Sequence, residues 1–420
     1  MSWRQPFGRS PEPAESKHNY ERRVRLLPVK MRKVALVAGG MATWGIRPAT
    51  WSDLVQEAGT ALFSSVPNLE AKDVDSLFVG AAQPERLAFQ SHVAPMAAEL
   101  LGIRPTRFIR RVELACASGQ SAIHDAYAAI AAGLSDVAVV LGVEKMNLPS
   151  MAEATTSMAN VLDRAWDGVH GGTAPPFFAM VAQRHMQEYG TTPEQMAAVS
   201  MKNHRFANTN PTAQFYSKTF TLEKLLGSPF VSPPLRLGDC SSMTDGSAAV
   251  LLVGEELARK YTDTPAWIAA TSQYSDFHNL ANMPSLTHWV GLEKAAQDLY
   301  RRGRTSPSNV QVAEVHDCFT ISEIIEYEEL GFCAKGKGGA FAADGQGDLG
   351  GKVVVNPRGG LLGCGHPLGA TGVGQAVEVL HQFQSKVPEK RLVSGAREAL
   401  THNLSGSANA HTLTLYRREN

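Results

Sequence analysis

NPRGGLLGCGHPLGATG, residues 356–372, packs six glycines, one cysteine and one histidine into seventeen positions. Ordering glycine costs more backbone entropy than ordering any other residue. Such density belongs where φ must be positive or another segment must pass very close. The expectation is a backbone bent tightly around a ligand, with Cys364 and His366 presented there. Behind the turn, Ala370, Val373, Ala376, Val377 and Leu380 recur at helical spacing, so the turn feeds a helix. His366 lies between Gly365 and Pro367 at that helix start, and histidine is the side chain best suited to proton transfer near neutral pH.

Outward from this turn the chain says the same thing twice. In the first half, strands are expected at 33–39, 74–80 and 137–142. Trp51, Leu54, Val55, Ala58 and Leu62 form a helical stripe, a further helical region covers about 90–101, and VELACASGQSAIHDAYAAIAAG (112–133) runs from strand to helix. In the second half, strands are expected at 267–271, 310–315, 398–405 and 411–416, with Leu292, Ala295, Ala296 and Leu299 as a helical stripe. Strand–helix alternation repeated about 230 residues apart predicts a duplicated α/β unit, with mixed sheets stacked in layers with helices. TDGSAAVLLVGEE (244–256) reads as a strand rejoining the first sheet. Between the halves the texture changes, and six of the thirteen methionines fall from Met151 to Met201. Methionine fills irregular spaces, so this excursion is either a small core of its own or an apolar lid for a flexible acyl group. The expected organisation is an N-terminal extension (1–30), a first half (31–148 with 243–258), a loop domain (149–242) and a second half (259–420).

Composition narrows the class. Lys plus Arg equals Asp plus Glu at 40 each, so no charge imbalance argues for nucleic acid. Five cysteines without a CxxC pair argue against a disulfide framework or a cysteine zinc site, and no metal is expected in the chain. No apolar run approaches a membrane span, and residues 1–30 lack a signal-peptide stretch. A reducing, cytoplasmic setting is the expectation.

Four segments carry chemistry. Cys116 sits where a strand becomes a helix, among Ala115, Ala117, Ser118 and Gly119. Unpaired N–H groups and the positive dipole end there should lower its pKa. His316, Asp317 and Cys318 directly follow a strand, where sites of α/β sheets form. Asp317 and His316 also read as caps of the next helix. His366 is the third candidate. The fourth segment, HNLSGSANA (402–410), joins two strands with small polar residues whose N–H groups suit an oxyanion. Matching ends of matching units bring the four together as a site for acyl transfer.

CASG (116–119), DGSAAVLL (245–252), HDCF (316–319) and the GHP turn, in this order, resemble the thiolase family over nearly the whole chain from Arg32. The resemblance implies the thiolase fold, two similar βαβαβ-type halves with an inserted loop domain. HDCF and the terminal Asn403-Leu404-Ser405-Gly406 are similar to the sterol-carrier-protein and archaeal acetoacetyl-CoA types. It further implies Cys116 as acyl-accepting nucleophile, His366 as its base, Cys318 as the acid/base at the α-carbon, and His316 and Gly406 as oxyanion donors. Cys364 is the rival for the acid role. The implied reaction is thiolytic cleavage of a 3-oxoacyl-CoA, or the reverse Claisen condensation, with coenzyme A as substrate. Acetoacetyl-CoA and a larger or aromatic acyl chain both stand, the latter if YSDFHNLANMPSLTHW (274–289) lines the pocket. A homodimer or tetramer, and a small zinc-bearing OB-fold partner, are implied by the same resemblance. The alternatives are a decarboxylating ketosynthase, a C-acyltransferase, or a non-catalytic scaffold subunit.

Overall fold

A computed structural model describes residues 31–148 and 150–419. The expected N-terminal extension lies outside the described residues. Strand β1 (Val34–Met41) opens the first half, and its inward run is fully covered. Helix Trp51–Ser65 follows, started by a Thr50–Asp53 capping box and buried along Trp51, Leu54, Val55, Ala58 and Leu62. Strands β2 (Ser76–Gly80), β3 (Phe108–Val112) and β4 (Val137–Glu144) come next, with helix Val93–Leu100 between β2 and β3 and helix Ser118–Ala131 between β3 and β4. The segment before the next core strand holds helices Met151–Ala159, Ala174–Tyr189, Pro193–Ala207 and Leu222–Leu226, then the small hairpin β5 (Phe230–Ser232) and β6 (Leu235–Arg236). Strand β7 (Gly246–Gly254) returns to pair antiparallel with both β1 and β4.

The second half repeats the plan with β8 (Ala266–Ser275), helix Val290–Gly303, β9 (Val312–Glu314), helix Thr320–Glu329, β10 (Val354–Val355), helix Leu368–Phe383, β11 (Glu398–Ser405) and β12 (Ala410–Arg418). The strand order is β10-β9-β11-β12-β8-β1-β7-β4-β2-β3. β2 is parallel to β3 and β4, and β9 is parallel to β10 and β11. The duplicated α/β expectation therefore holds, and the two halves join through the antiparallel pairing of Ala35 with Trp267 and Leu36 with Ala266.

One glycine of 356–372, Gly369, has a plain physical reason. Helix Leu368–Phe383 packs on β4 and β7 and crosses helix Ser118–Ala131 at close range. A Cβ on Gly119 would stand 2.4 Å from the Gly369 carbonyl oxygen, and one on Gly369 would stand 2.4 Å from the Gly80 oxygen. Backbone meets backbone at this crossing, so each residue must lack a side chain. The same crossing brings the loop after β3 against the turn that carries His366.

Candidate active site

Cys116 lies in a short turn of 3-10 helix (Ala115–Ala117) between β3 and helix Ser118–Ala131. Ala115 before it has φ of +43°, a left-handed conformation costly for a residue with a Cβ. The Glu113 carboxylate accepts from Ala115 N–H at 2.7 Å, and the Ser118 hydroxyl donates to the Ala115 carbonyl at 2.6 Å. Cys116 is half-buried and packs against a small apolar group of Ala82, Leu87, Met146 and Leu368, on which Met158 and Met243 also pack.

His366 is buried just before the long helix, its backbone N–H donating to Thr244 Oγ1 at 2.9 Å. Its Nδ1 is 2.8 Å from Thr371 Oγ1, and that hydroxyl donates to the Pro367 carbonyl at 3.0 Å. The hydroxyl proton is thereby committed, so Nδ1 carries the hydrogen and Nε2 the lone pair. Nε2 has no partner. His316, reached directly after β9, is fully buried with both ring nitrogens unpartnered. The Cys116 sulfur and one ring nitrogen each of His316 and His366 lie within 4.8 Å of one another. The two imidazoles meet edge to face at a centroid distance of 4.8 Å. These atoms also have the reach of a three-ligand metal site.

Electrostatics corrects one expectation. Burial pushes the Cys116 thiol up to about 12, with the Glu144 and Glu113 charges adding to it. The backbone N–H groups of Gly406 and of Cys116 itself pull the other way without overcoming it. The helix-end argument counted those N–H groups and not the loss of water. Burial likewise lowers His366 to about 3, helped by the Arg358 charge. Burial thus favours thiol and neutral imidazole over a preformed ion pair.

Cys318 is buried, its sulfur 3.6 Å from Ser322 Oγ, and burial and the nearby Cys116 raise its thiol well above the ordinary range. Cys364 belongs elsewhere. It is fully covered, donates to the Arg358 carbonyl at 3.0 Å and receives Asn210 Nδ2 at 3.5 Å. Asp317 does not cap the helix that follows it. It accepts from the N–H groups of Leu361 and Leu362 at 2.7 and 3.1 Å and from Asn203 Nδ2 at 2.7 Å. Gly406, with φ of +56°, opens the tight turn between β11 and β12. A cleft of about 620 Å³ beside this turn is lined by Ala115, Gly406, Asn409, Arg86 and His278. Of the stretch 274–289, Ser275 and His278 line that cleft, while Tyr274, Leu280, Met283 and Leu286 pack on the second-half core.

Sequence reasoning missed Glu144. This buried carboxylate accepts from Ala82, Gln83 and Gly369 N–H groups at 2.8, 3.2 and 3.0 Å, fastening the first half to the His366 turn. Burial raises its pKa to about 7. A glutamate ending an otherwise apolar strand was the available signal. Thr371 was missed as well, although its i+5 position from His366 on a helix start makes it reachable.

A duplicated α/β chain with a cysteine and two histidines gathered from both halves defines an acyl-transfer enzyme built on a two-half scaffold. The thiolase N-terminal domain matches residues 34–224, and the thiolase C-terminal domain-like family matches residues 272–418. An acetyl-CoA acetyltransferase of Methanothermobacter thermautotrophicus is 38% identical over 92% of this chain and 100% of its own length. The benzoylsuccinyl-CoA thiolase subunit BbsB of Thauera aromatica is 38% identical over 72% of this chain and 77% of its own. Among solved structures, the Ltp2-ChsH2(DUF35) aldolase superposes with a TM-score of 0.80 at 26% identity, covering 93% of this chain and 99% of that one. The chain belongs to the thiolase family, and it is an acyltransferase of the thiolase type.

Among the described residues no helix is long and apolar enough to cross a membrane.

Proposed function

We propose that this protein cleaves a 3-oxoacyl-CoA with coenzyme A, or runs the reverse Claisen condensation, through an acyl-Cys116 intermediate, with 149–242 acting as its loop domain. The observation that carries the reading is the meeting of the Cys116 sulfur with the ring nitrogens of His316 and His366, with His366 Nε2 left free as a proton acceptor.

The Cys116 proton passes to His366 Nε2 as the sulfur attacks the 3-oxo carbon. Thr371 holds the imidazole that becomes charged. The N–H groups of Gly406 and Cys116 receive the tetrahedral oxyanion. The C2–C3 bond breaks, its electron pair moves into the enolate of the departing thioester, and a His316 N–H steadies that oxygen. The Cys318 thiol protonates C2. Coenzyme A then gives its thiol proton to the Cys318 thiolate and attacks the acyl-Cys116 carbonyl. Cys116 leaves and recovers its proton from His366. Because the resting groups are neutral, charge appears only when substrate supplies an oxygen for the donors.

The methionines in and around the apolar group on which Cys116 packs support an acyl group larger than acetyl. A small zinc-bearing OB-fold partner aiding coenzyme A binding, within a homo-oligomer in the cytoplasm, completes the reading. The DUF35 component named in the aldolase assembly supports a two-protein arrangement here.

A second reading is favoured by the Cys-His-His grouping itself, which suits a decarboxylating condensing enzyme. Two assays separate the readings. Coenzyme A-dependent loss of a 3-oxoacyl-CoA panel is expected, with no carbon dioxide released from a malonyl thioester. Carbon dioxide release without thiolysis selects the second reading, and cleavage of only 3-hydroxyacyl-CoA substrates removes both.

A further inference from the structure

Neither ring nitrogen of His316 has a hydrogen-bond partner, so its backbone and the packing around it set the aim of the ring. That backbone is gripped through one peptide plane. The Val315 carbonyl accepts from Gln375 Nε2 at 3.1 Å, and the His316 N–H donates to Glu326 Oε2 at 3.1 Å. The Val315 N–H in turn donates to Asn356 Oδ1 at 2.8 Å. A planar peptide held at both its oxygen and its N–H cannot turn. The Cα from which the imidazole projects is thereby fixed. Gln375 is itself fully covered, on helix Leu368–Phe383. Its amide can face only one way. The Val315 carbonyl only accepts, so Nε2 points to it, and Oε1 accepts from Asn403 Nδ2. Thr371 lies four residues earlier, on the same face of the helix, and its hydroxyl oxygen holds His366 Nδ1 at 2.8 Å. One helix face thus carries a hold on each of the two imidazoles that meet edge to face.

We infer that Gln375 is a positioning residue that places the His316 ring against His366 through the Val315 carbonyl, a role that rests on the thiolase reading, in which a His316 N–H steadies the enolate oxygen. Being covered, Gln375 acts through His316 and not on substrate. It serves the enolate step. The proton transfer from Cys116 to His366 is served by Thr371 instead, one turn away on the same helix. A buried amide on an otherwise apolar helix face would be costly without partners. Here both ends of the amide are paired, and the donor end is paired to the residue before His316.

The test uses Gln375→Met in the full chain, which keeps the length of the side chain and removes its donor. Two rates are compared. Exchange of the α-proton of a saturating acyl-CoA into deuterated solvent reads the enolate step. Alkylation of Cys116 by iodoacetamide, followed against pH, reads Cys116 and His366 and needs no thiolase chemistry. Q375M should lower the exchange kcat about ten- to a hundredfold, the cost of misplacing a group by about an ångström, with KM within about twofold. Its alkylation rate and pH profile should match wild type within about twofold, because the Thr371 hold is intact. A residue that merely stabilised the fold would move both rates together. Unchanged exchange in Q375M, or exchange and alkylation falling together, overturns the inference while wild-type exchange keeps the thiolase reading. Wild type that exchanges no α-proton removes that reading and the inference with it. If Q375M does not fold, Gln375→Asn, an amide one methylene short of Val315, is held to the same split.

Discussion

His316 and Asp317 are neighbours in the chain, both without solvent exposure, and they lead opposite lives. Both His316 ring nitrogens are unpartnered. Asp317 is saturated by two backbone N–H groups and the Asn203 amide, and Asn203 and Asn356 both donate to Glu323 in the same cluster. Leaving a buried polar atom unpaired costs about 1–3 kcal/mol. His316 bears that cost at both ring nitrogens, and Asp317 is spared it at both oxygens. Two cysteines repeat the contrast. Cys364 is spent on a carbonyl deep under the turn, while Cys318 has only a long contact to Ser322 and lies close enough to Cys116 for the two thiols to raise each other's cost of ionisation.

Substitutions can break or sharpen this contrast, beginning with the largest effect. Cys116→Ala should lower thiolysis by roughly 10⁴-fold or more, since removing a nucleophile leaves only binding and oxyanion donors, with the melting temperature unchanged. Retained turnover removes Cys116 from the reaction. His316→Ala should lower kcat by about 10²–10³, the scale of losing one oxyanion donor, with little loss of stability because no protein partner is stranded. Asp317→Ala should do the reverse, costing about 2–4 kcal/mol in denaturant unfolding by stranding three donors. If the two variants behave alike, the division between waiting and saturated groups fails. Cys318→Ala should still acylate Cys116 but lose α-proton exchange into deuterated solvent, whereas Cys364→Ala should exchange normally. The opposite pattern moves the acid role to Cys364. A further test varies pH. With the Cys116 thiol up at about 12, its alkylation rate should climb about tenfold per pH unit between roughly pH 6 and pH 9, following the thiolate fraction. A plateau near neutrality would mean a thiolate–imidazolium pair instead.

Much of this was legible in the sequence, for reasons that differ by region. Helix Trp51–Ser65 shows its buried face because side-chain period and burial coincide along it. The expected strands at 398–405 and 411–416 lie within β11 and β12, which pair in register from Glu398 with Arg417 to Ser405 with Ala410. The joining of the halves through β1 and β8 was not legible, since a β-branched run does not say which edge it will meet. The four chemical segments were found by residue type and position after strands. The direction of the Cys116 shift was missed because local backbone geometry is visible in a sequence and desolvation is not. His402 was seen as part of a polar segment and His411 only as the start of a strand, but their facing across adjacent strands depends on register, which fixes Leu404 opposite His411.

The central claim is that Cys116 accepts the acyl group with His366 as its base. Intact-protein and peptide mass spectrometry after brief mixing with 3-oxoacyl-CoA esters tests it most directly. The account predicts an acyl mass increment on the peptide bearing Cys116, cleared by added coenzyme A. Product formation with no adduct at Cys116, or an adduct at Cys318 or Cys364 in its place, would contradict it.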